Sequence, residues 1–388
     1  MPLNAPANLI PSFDGQDQTF SSAFAILRQA IADRAFPAAS IAVTQAGKLL
    51  ALKAFGKFVY EEELEGVPSS LSLGAPSAVH VATLFDLASL TKPVATTTMA
   101  MLLYERGLLE IDAPISGIVP EFASARDPLR QQVTFRMLLA HSSGLPAYEK
   151  LFLKAHTREG LLHAALTTPL TAAPGTRAEY SDIGFIILGL ALERIVQEPL
   201  NIFCQREIFG PLAMIRTTFN PPADQRTQIP PTSDERPNAN HAASNFRSRI
   251  IQGEVQDENA SVLGGIAGHA GLFSTADDLA HFAHALLQGG NPILRPETVA
   301  VFTHRETSPA NTSRTLGWDT PSAPSQSGKY FGPRSFGHLG YTGTSLWIDP
   351  DRQLSITLLT NRTWPDCSNQ AIKQVRPKFH DAVIESLG

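Results

Sequence analysis

Ser89-Leu90-Thr91-Lys92, at the head of TKPVATTTMAMLLYERG (91–107), is the stretch on which the reading of this chain turns. A serine hydroxyl is a weak nucleophile near neutral pH and needs a base or cation within reach. The chain has no G-x-S-x-G elbow, and this is its single S-x-x-K. In a helix the i,i+3 spacing puts Ser89 and Lys92 on one face, so the ammonium reaches the hydroxyl. Pro93 suits a first helical turn, where its missing N–H is not needed, and the helix N-terminus favours a developing anion. Read by itself, Ser89 would equally serve as a helix N-cap.

Two further elements change that balance. Tyr180-Ser181-Asp182 is the only Tyr-x-Asp or Tyr-x-Asn in the chain and precedes the apolar run GFIILGLALERI (184–195). A tyrosine acts as a base only where positive charge stabilises its phenolate, and Lys92 is the available cation. The plainer alternative makes Tyr180 and Asp182 a helix-entry pair, with Asp182 as N-cap. The second element is Gly337-His338-Leu339-Gly340-Tyr341-Thr342-Gly343-Thr344, which opens the strand SLWIDP (345–350). Glycine at a strand edge admits a close backbone approach, so the N–H of Tyr341 can join that of Ser89 as an oxyanion hole; taken alone the segment is a turn.

Outward from these elements, FSSAFAILRQAIADRAF (20–36) has helical spacing, and SIAVTQAGKLLALKAFGKFV (40–59) reads as a hairpin turning near Gly47. TSLWIDPDRQLSITLLTN (344–361) reads as two strands joined at Asp349–Arg352, with a terminal helix after it. The middle is helical, in TKPVATTTMAMLLYERG, VTFRMLLAHSSGLP and DIGFIILGLALERIVQ. PPADQRTQIPPTSDERPNANHAASNF (221–246) reads as a long surface excursion with little regular structure.

With 388 residues and 43% hydrophobic content the chain can bury a large core. A net charge of −5 with dispersed basic residues excludes a nucleic-acid footprint. Cys204 and Cys367 are too far apart in sequence to suggest a zinc or redox pair, and no H-x-H, H-E-x-x-H or Cys/His cluster marks a metal site. His281 and His284 read as helix-surface residues; His141 and His269 as structural hydrogen-bonding groups near a cleft; Trp318 and Tyr330 as packing anchors or pocket walls. No cofactor and no metal are expected. The opening MPLNAPANLIPSFDG lacks an export signal and no run is long enough to span a bilayer, so a cytoplasmic location is expected, or a periplasmic or secreted one if the natural start carries a signal.

The order S-x-x-K, Tyr-x-Asp, His-x-Gly, together with LLEIDAPISGIVPEF, PGTRAEYSDIGFIILG and GGIAGHAGLFSTADDLAHF, resembles the class C β-lactamases, the related DD-peptidases and the family VIII carboxylesterases. The resemblance covers nearly all of residues 20–388. It implies an α+β fold of the β-lactamase/transpeptidase type. An antiparallel sheet flanked by helices would be built from 1–80 and 265–388, a mainly helical domain from 81–264, and the active site would lie in the cleft between them. Carried over residue by residue, Ser89 would be the acylated nucleophile, Lys92 its proton partner and Tyr180 the general base and later acid. Ser89, Asp182, His338, Gly340 and Tyr341 would bind substrate and its oxyanion. Lys92 and Tyr180 both stay open as first proton acceptor.

Two departures bear on the substrate. Asp182 stands where the family often has asparagine, so a group that only accepts when ionised replaces an amide donor. His338 stands where β-lactamases usually have lysine, which weakens the charge that would meet a carboxylate and favours neutral esters. The expectation is a carboxylesterase working through an acyl-enzyme. A β-lactamase or D-alanyl-D-alanine carboxypeptidase is the alternative, and an inactive peptide or cell-wall-fragment binding module a further one. The partner is a small ester, β-lactam or peptide, with no nucleic acid and no membrane span; oligomeric state is not legible.

Overall fold

A computed structural model describes residues 8–60, 77–123, 127–237, 246–365 and 367–388. Its main sheet has six strands, in the order Ile10–Pro11, Lys48–Gly56, Ala38–Gln45, Leu354–Thr360, Ser345–Asp349, Phe336–Leu339. All neighbours are antiparallel except the first pair, where Ile10 and Pro11 run parallel to Lys48 and Leu49. The sheet is thus drawn from both ends of the chain. Its N-terminal hairpin closes at Ala46-Gly47, both with positive φ (47° and 77°), which is the two-residue turn whose twist suits paired strands. The C-terminal hairpin turns where Asp349 Oδ1 accepts from the N–H groups of Asp351 (2.9 Å) and Arg352 (3.1 Å).

Side-chain alternation explains how the sheet is covered. Ala39, Ile41, Val43, Ile356 and Leu358 meet Phe24 and Leu27 of the helix Ser21–Ala32 and Phe379 and Val383 of the helix Ile372–Leu387. Ala38, Ala42, Leu346, Ile348 and Leu359 face the other way, into a core shared with Leu279, Phe282 and Ala283 of the helix Ala276–Leu287 and with the helical middle of the chain. Each face is apolar, so the central strand Leu354–Thr360 is buried along its whole length. Ser355 of this strand and Thr44 of its neighbour Ala38–Gln45 satisfy each other at 2.6 Å.

Several details differ from the sequence reading. The stretch after Ser89 is not one α-helix: a 3-10 turn (Ala88–Leu90) leads into wider π-helical turns (Lys92–Thr97) and only then into the α-helix Thr98–Glu105. Ser181, not Asp182, caps the helix Asp182–Val196, its Oγ accepting from Gly184 N at 3.0 Å. The excursion is more ordered than its composition suggests, with a 3-10 helix at Ala223–Gln228 and a two-stranded ribbon pairing Pro231–Asp234 with Ile250–Gln252. A buried pair, Arg247 with Glu235 at 2.5 Å, locks that ribbon; residues 238–245 of the excursion, like 1–7 of the leader and 61–76 of the first domain segment, lie outside the described residues. His284 is buried rather than on the helix surface; of the two readings of Trp318 the packing anchor holds, between Phe282 and Phe336. Among the described residues no helix is long and apolar enough to cross a membrane.

Candidate active site

The short strand Phe85–Asp86, paired with Leu272–Ser274, delivers the chain to Ala88, which sits in the left-handed region at φ 47°. An L-residue takes that conformation at a cost, and the immediate consequence is a sharp turn that lifts Ser89 towards the cleft. Thr91 stays the turn by donating to Ala88 O (2.7 Å) and accepting from Leu272 N (3.1 Å). Lys92, fully buried, spends its three N–H bonds on Ser89 Oγ (3.0 Å), Asp182 Oδ1 (2.6 Å) and His269 O (3.1 Å). No donor of the ammonium is left over.

Tyr180 reaches the same oxygen from the opposite side, its phenol donating to Ser89 Oγ at 2.6 Å. His141 holds the loop that carries it: its carbonyl accepts from Glu179 N (2.8 Å), its Nδ1 from Ser181 N (3.0 Å), and its ring packs on Tyr180 at 4.6 Å. Burial, with the positive charges of Arg314 and Lys92, keeps His141 neutral, as an acceptor at Nδ1 requires. His269 pairs its Nε2 with Asp257 Oδ1 at 2.9 Å while its carbonyl takes the Lys92 bond.

The electrostatics separate the two partners of Ser89. Burial pulls the Lys92 ammonium down, but the Asp182 carboxylate and Tyr180 more than offset it, so its pKa lies above the usual lysine value. Burial and Asp182 push the Tyr180 phenol up to about 12, against the pull of Lys92 and Ser89. The resting site is therefore a charged lysine and a neutral tyrosine, both donating to the serine.

The third segment closes the cleft. After the strand Phe336–Leu339 the chain turns at Gly340–Thr344, and the turn is fastened to the approach to Ser89: Thr342 Oγ1 donates to Asp86 O (2.7 Å) and Thr344 Oγ1 to Leu87 O (3.0 Å). A Cβ on Gly340 would stand 2.4 Å from Leu87 O and 2.0 Å from Thr344 Oγ1, so only glycine lets the two backbones lie this close. Arg376 of the terminal helix holds Gly340 O (2.7 Å) and Thr344 O (3.0 Å) from behind, and Arg362 holds Tyr341 O (2.7 Å). His338 Nδ1 lies 2.8 Å from Leu339 O, an atom that only accepts, so the proton is on Nδ1; burial, Lys92 and Arg314 keep the ring neutral.

Ser89, Tyr180, Asp182, His338, Gly340 and Tyr341 all line one cavity of about 680 Å³, with Lys92 directly behind them. Sequence reasoning did not single out Arg314, Arg362, Arg376 and Lys373, which line it too. Arg314 is the most telling, its guanidinium 5.5 Å from the Tyr180 ring centre and 3.6 Å from Asp319. No sequence signal marks it, because the loop that carries Arg314 is positioned by the pairing of Asp319 with Gly337. Tyr330 bonds Glu385 of the terminal helix and lines no part of this cavity. Among the described residues no three His, Cys, Asp or Glu side chains gather as a metal site, and both cysteines are free.

Comparison with known proteins agrees with the fold. Residues 23–375 match the family model described as Beta-lactamase. A Bacillus subtilis (strain 168) protein named N-acetylmuramyl-L-alanine amidase is 31% identical over 84% of this chain and 77% of its own length. An Escherichia coli (strain K12) protein with the provisional name D-alanyl-D-alanine carboxypeptidase is 31% identical over 85% of this chain and 79% of its own. Among solved structures, EstCE1, a hydrolase with promiscuous acyltransferase activity, superposes with a TM-score of 0.74 at 22% identity, covering 95% of this chain and 99% of that one. A class C β-lactamase superposes at 0.70 and 18% identity, covering 96% and 97%.

Proposed function

The chain belongs to the Beta-lactamase family of serine hydrolases, and on that footing we propose that it cleaves esters or amides through an acyl-enzyme on Ser89. The observation that carries the reading is the convergence of Tyr180 (2.6 Å) and Lys92 (3.0 Å) on one serine oxygen at the floor of a cavity. The acting form is the fraction of sites in which Tyr180 has first given its phenolic proton to solvent, the phenolate being stabilised at close range by the Lys92 ammonium; Ser89 Oγ then attacks the substrate carbonyl carbon and passes its own proton to that phenolate. Lys92 stays charged, because Asp182 holds its proton and all three N–H bonds are committed. The oxyanion is met by the main-chain N–H groups of Ser89 and Tyr341. Tyr180 then protonates the leaving group, and water, deprotonated by the same residue, releases the acid.

For the substrate, the expectation of neutral esters rested on His338 in place of lysine, and the cavity supplies other cations. Arg314 stands beside Tyr180, Arg376 and Arg362 bond the carbonyls of Gly340 and Tyr341, and Lys373 lines the same cavity. Although Asp182, Asp257, Glu258 and Asp319 line the same cavity, these cations favour an acyl donor bearing a carboxylate near the scissile bond, such as a D-alanyl peptide or its β-lactam mimic; the name of the Escherichia coli relative points the same way. The carboxylesterase is the second reading, favoured by the neutral His338.

The test is kcat/KM for a short-chain p-nitrophenyl ester, a chromogenic cephalosporin and a D-alanyl-D-alanine peptide, with Ser89→Ala and Tyr180→Phe in parallel. Ser89→Ala abolishes all three activities, and Tyr180→Phe lowers them by about 10²–10⁴-fold, the worth of a positioned general base. Near-normal turnover by Ser89→Ala sinks the mechanism. Efficient ester cleavage with neither cephalosporin nor peptide turned over, and no β-lactam adduct, assigns the carboxylesterase instead.

A further inference from the structure

Asp86 takes no part in the steps above, yet three separate segments of the site meet on it. Its Oδ1 accepts from Ala88 N at 2.8 Å, its Oδ2 from Gln256 N at 2.6 Å, and its main-chain carbonyl from Thr342 Oγ1 at 2.7 Å. Ala88 is the residue in the left-handed conformation immediately before Ser89, Gln256 lines the cavity beside Asp257, and Thr342 belongs to the turn that follows His338. The side chain is buried, so both oxygens bond in a low-dielectric setting where such contacts are strong and geometrically exacting.

A left-handed alanine persists only where its surroundings over-determine it. Here the restraint on its N–H is the Asp86 carboxylate, because the Asp86–Ala88 bond closes a two-residue loop of the Asx-turn kind. We propose that Asp86 is a positioning residue: by holding the Ala88 amide it keeps Ser89 Oγ in line with Tyr180 and Lys92, and by holding Gln256 it sets the opposite wall at matching distance. The residue touches no reacting atom. Its effect falls on the chemical step and leaves ground-state binding in place. Two charges act on the carboxylate in opposite senses, Asp257 raising its pKa and Arg247 lowering it. The inference rests on Ser89 as nucleophile.

The experiment is a double-mutant cycle on the full chain. Asp86→Asn keeps the shape but turns an NH2 towards one of the two N–H donors, so a bond is lost. With the substrate that serves best, kcat is expected to fall ten- to a hundredfold while KM stays within about twofold. Glycine takes the left-handed conformation without strain, so the same substitution in an Ala88→Gly background costs at least fivefold less. An equal loss in both backgrounds, or a kcat for Asp86→Asn equal to that of the parent, overturns the proposal. Should the Asp86 variants fail to fold, amide exchange of the unmodified protein decides: the Ala88 and Gln256 amides are expected to be protected, and exchange at the rate of free peptide overturns it. Ser89→Ala, run alongside, separates the two claims. Activity surviving in it defeats the nucleophile reading, whereas a dead Ser89→Ala with no effect of Asp86→Asn defeats only the positioning role.

Discussion

Replacing Asp182 by asparagine, the residue the family often carries there, probes the site more sharply than removing the nucleophile. Lys92 Nζ and Asp182 Oδ1 are 2.6 Å apart, and the lysine side chain is fully buried. At an effective dielectric of about 20 the attraction at that distance is about 6 kcal/mol, from which desolvation of both ions must be subtracted. Breaking a buried pair typically costs about 3–5 kcal/mol, and because the amide oxygen still accepts from Lys92 the lower end, about 3 kcal/mol, is expected. The pH dependence has a definite sign. Lys92 has a folded-state pKa above its unfolded value, so its contribution is complete below about 10.5 and is lost as pH rises through the higher folded value. In Asp182→Asn the buried ammonium has no counter-ion, its pKa falls below the unfolded one, and the variant gains stability as pH rises. Urea unfolding at pH 7 and near pH 11 should therefore show a gap between parent and variant that narrows at high pH.

Catalysis should move the other way. The Asp182 charge holds protons on the Lys92–Tyr180 pair, so without it the pair gives up its first proton at lower pH and a base stands beside Ser89 sooner. The acid limb of kcat/KM is expected to move down by about 1–3 pH units, the usual effect of one neighbouring charge. A profile that superimposes on the parent's, or a variant more stable than the parent at pH 7, would refute the electrostatic account.

Other expectations follow from single contacts. Arg314→Gln should raise KM for a carboxylate-bearing peptide or cephalosporin about tenfold or more and leave p-nitrophenyl acetate little changed; parallel losses on both would place Arg314 outside substrate recognition. Gly340→Ala puts a methyl into contact with Leu87 O and Thr344 Oγ1, so melting temperature and activity should fall together, and a fully active variant would show the turn to be loosely held. Glu235→Gln strands the buried Arg247, whose guanidinium also holds Val255 O and Gln256 O (both 2.7 Å); a loss of about 3 kcal/mol or more in urea unfolding is expected.

The three motifs were legible as patterns of side-chain type and spacing, and the structure brings Ser89, Tyr180, Asp182 and His338 to one cavity with Lys92 bonded to Ser89. Ser89 and Lys92 were paired by helical spacing, although the helix there is wound more loosely than an α-helix and its first turn is tighter. The two hairpins were legible from alternation and turn residues. What the sequence did not betray was set by contacts between distant segments. Arg314 enters the cavity because its loop is laid against the strand Phe336–Leu339, and Asp86 matters because Gln256 and Thr342 arrive at it from far along the chain. Ser181 was passed over as cap because Asp182, an equally good capping residue by composition, stands next to it; the pull of Lys92 on the Asp182 carboxylate decides between them.

The sheet that unites the two ends of the chain also governs when the enzyme comes into being. Ala38 N–H bonds Asn361 Oδ1 at 3.1 Å across 323 residues, and the strand Ala38–Gln45 finds its inner neighbour only in Leu354–Thr360. On the ribosome the hairpin Ala38–Gly56 emerges about 300 residues before Leu354–Thr360, and until that strand follows, one edge of Ala38–Gln45 lacks its neighbour. The turn bearing Ser89 waits as well, since the hydroxyls that tie it down belong to Thr342 and Thr344. A chain arrested before that point already contains its serine, lysine and tyrosine, but they are not yet gathered.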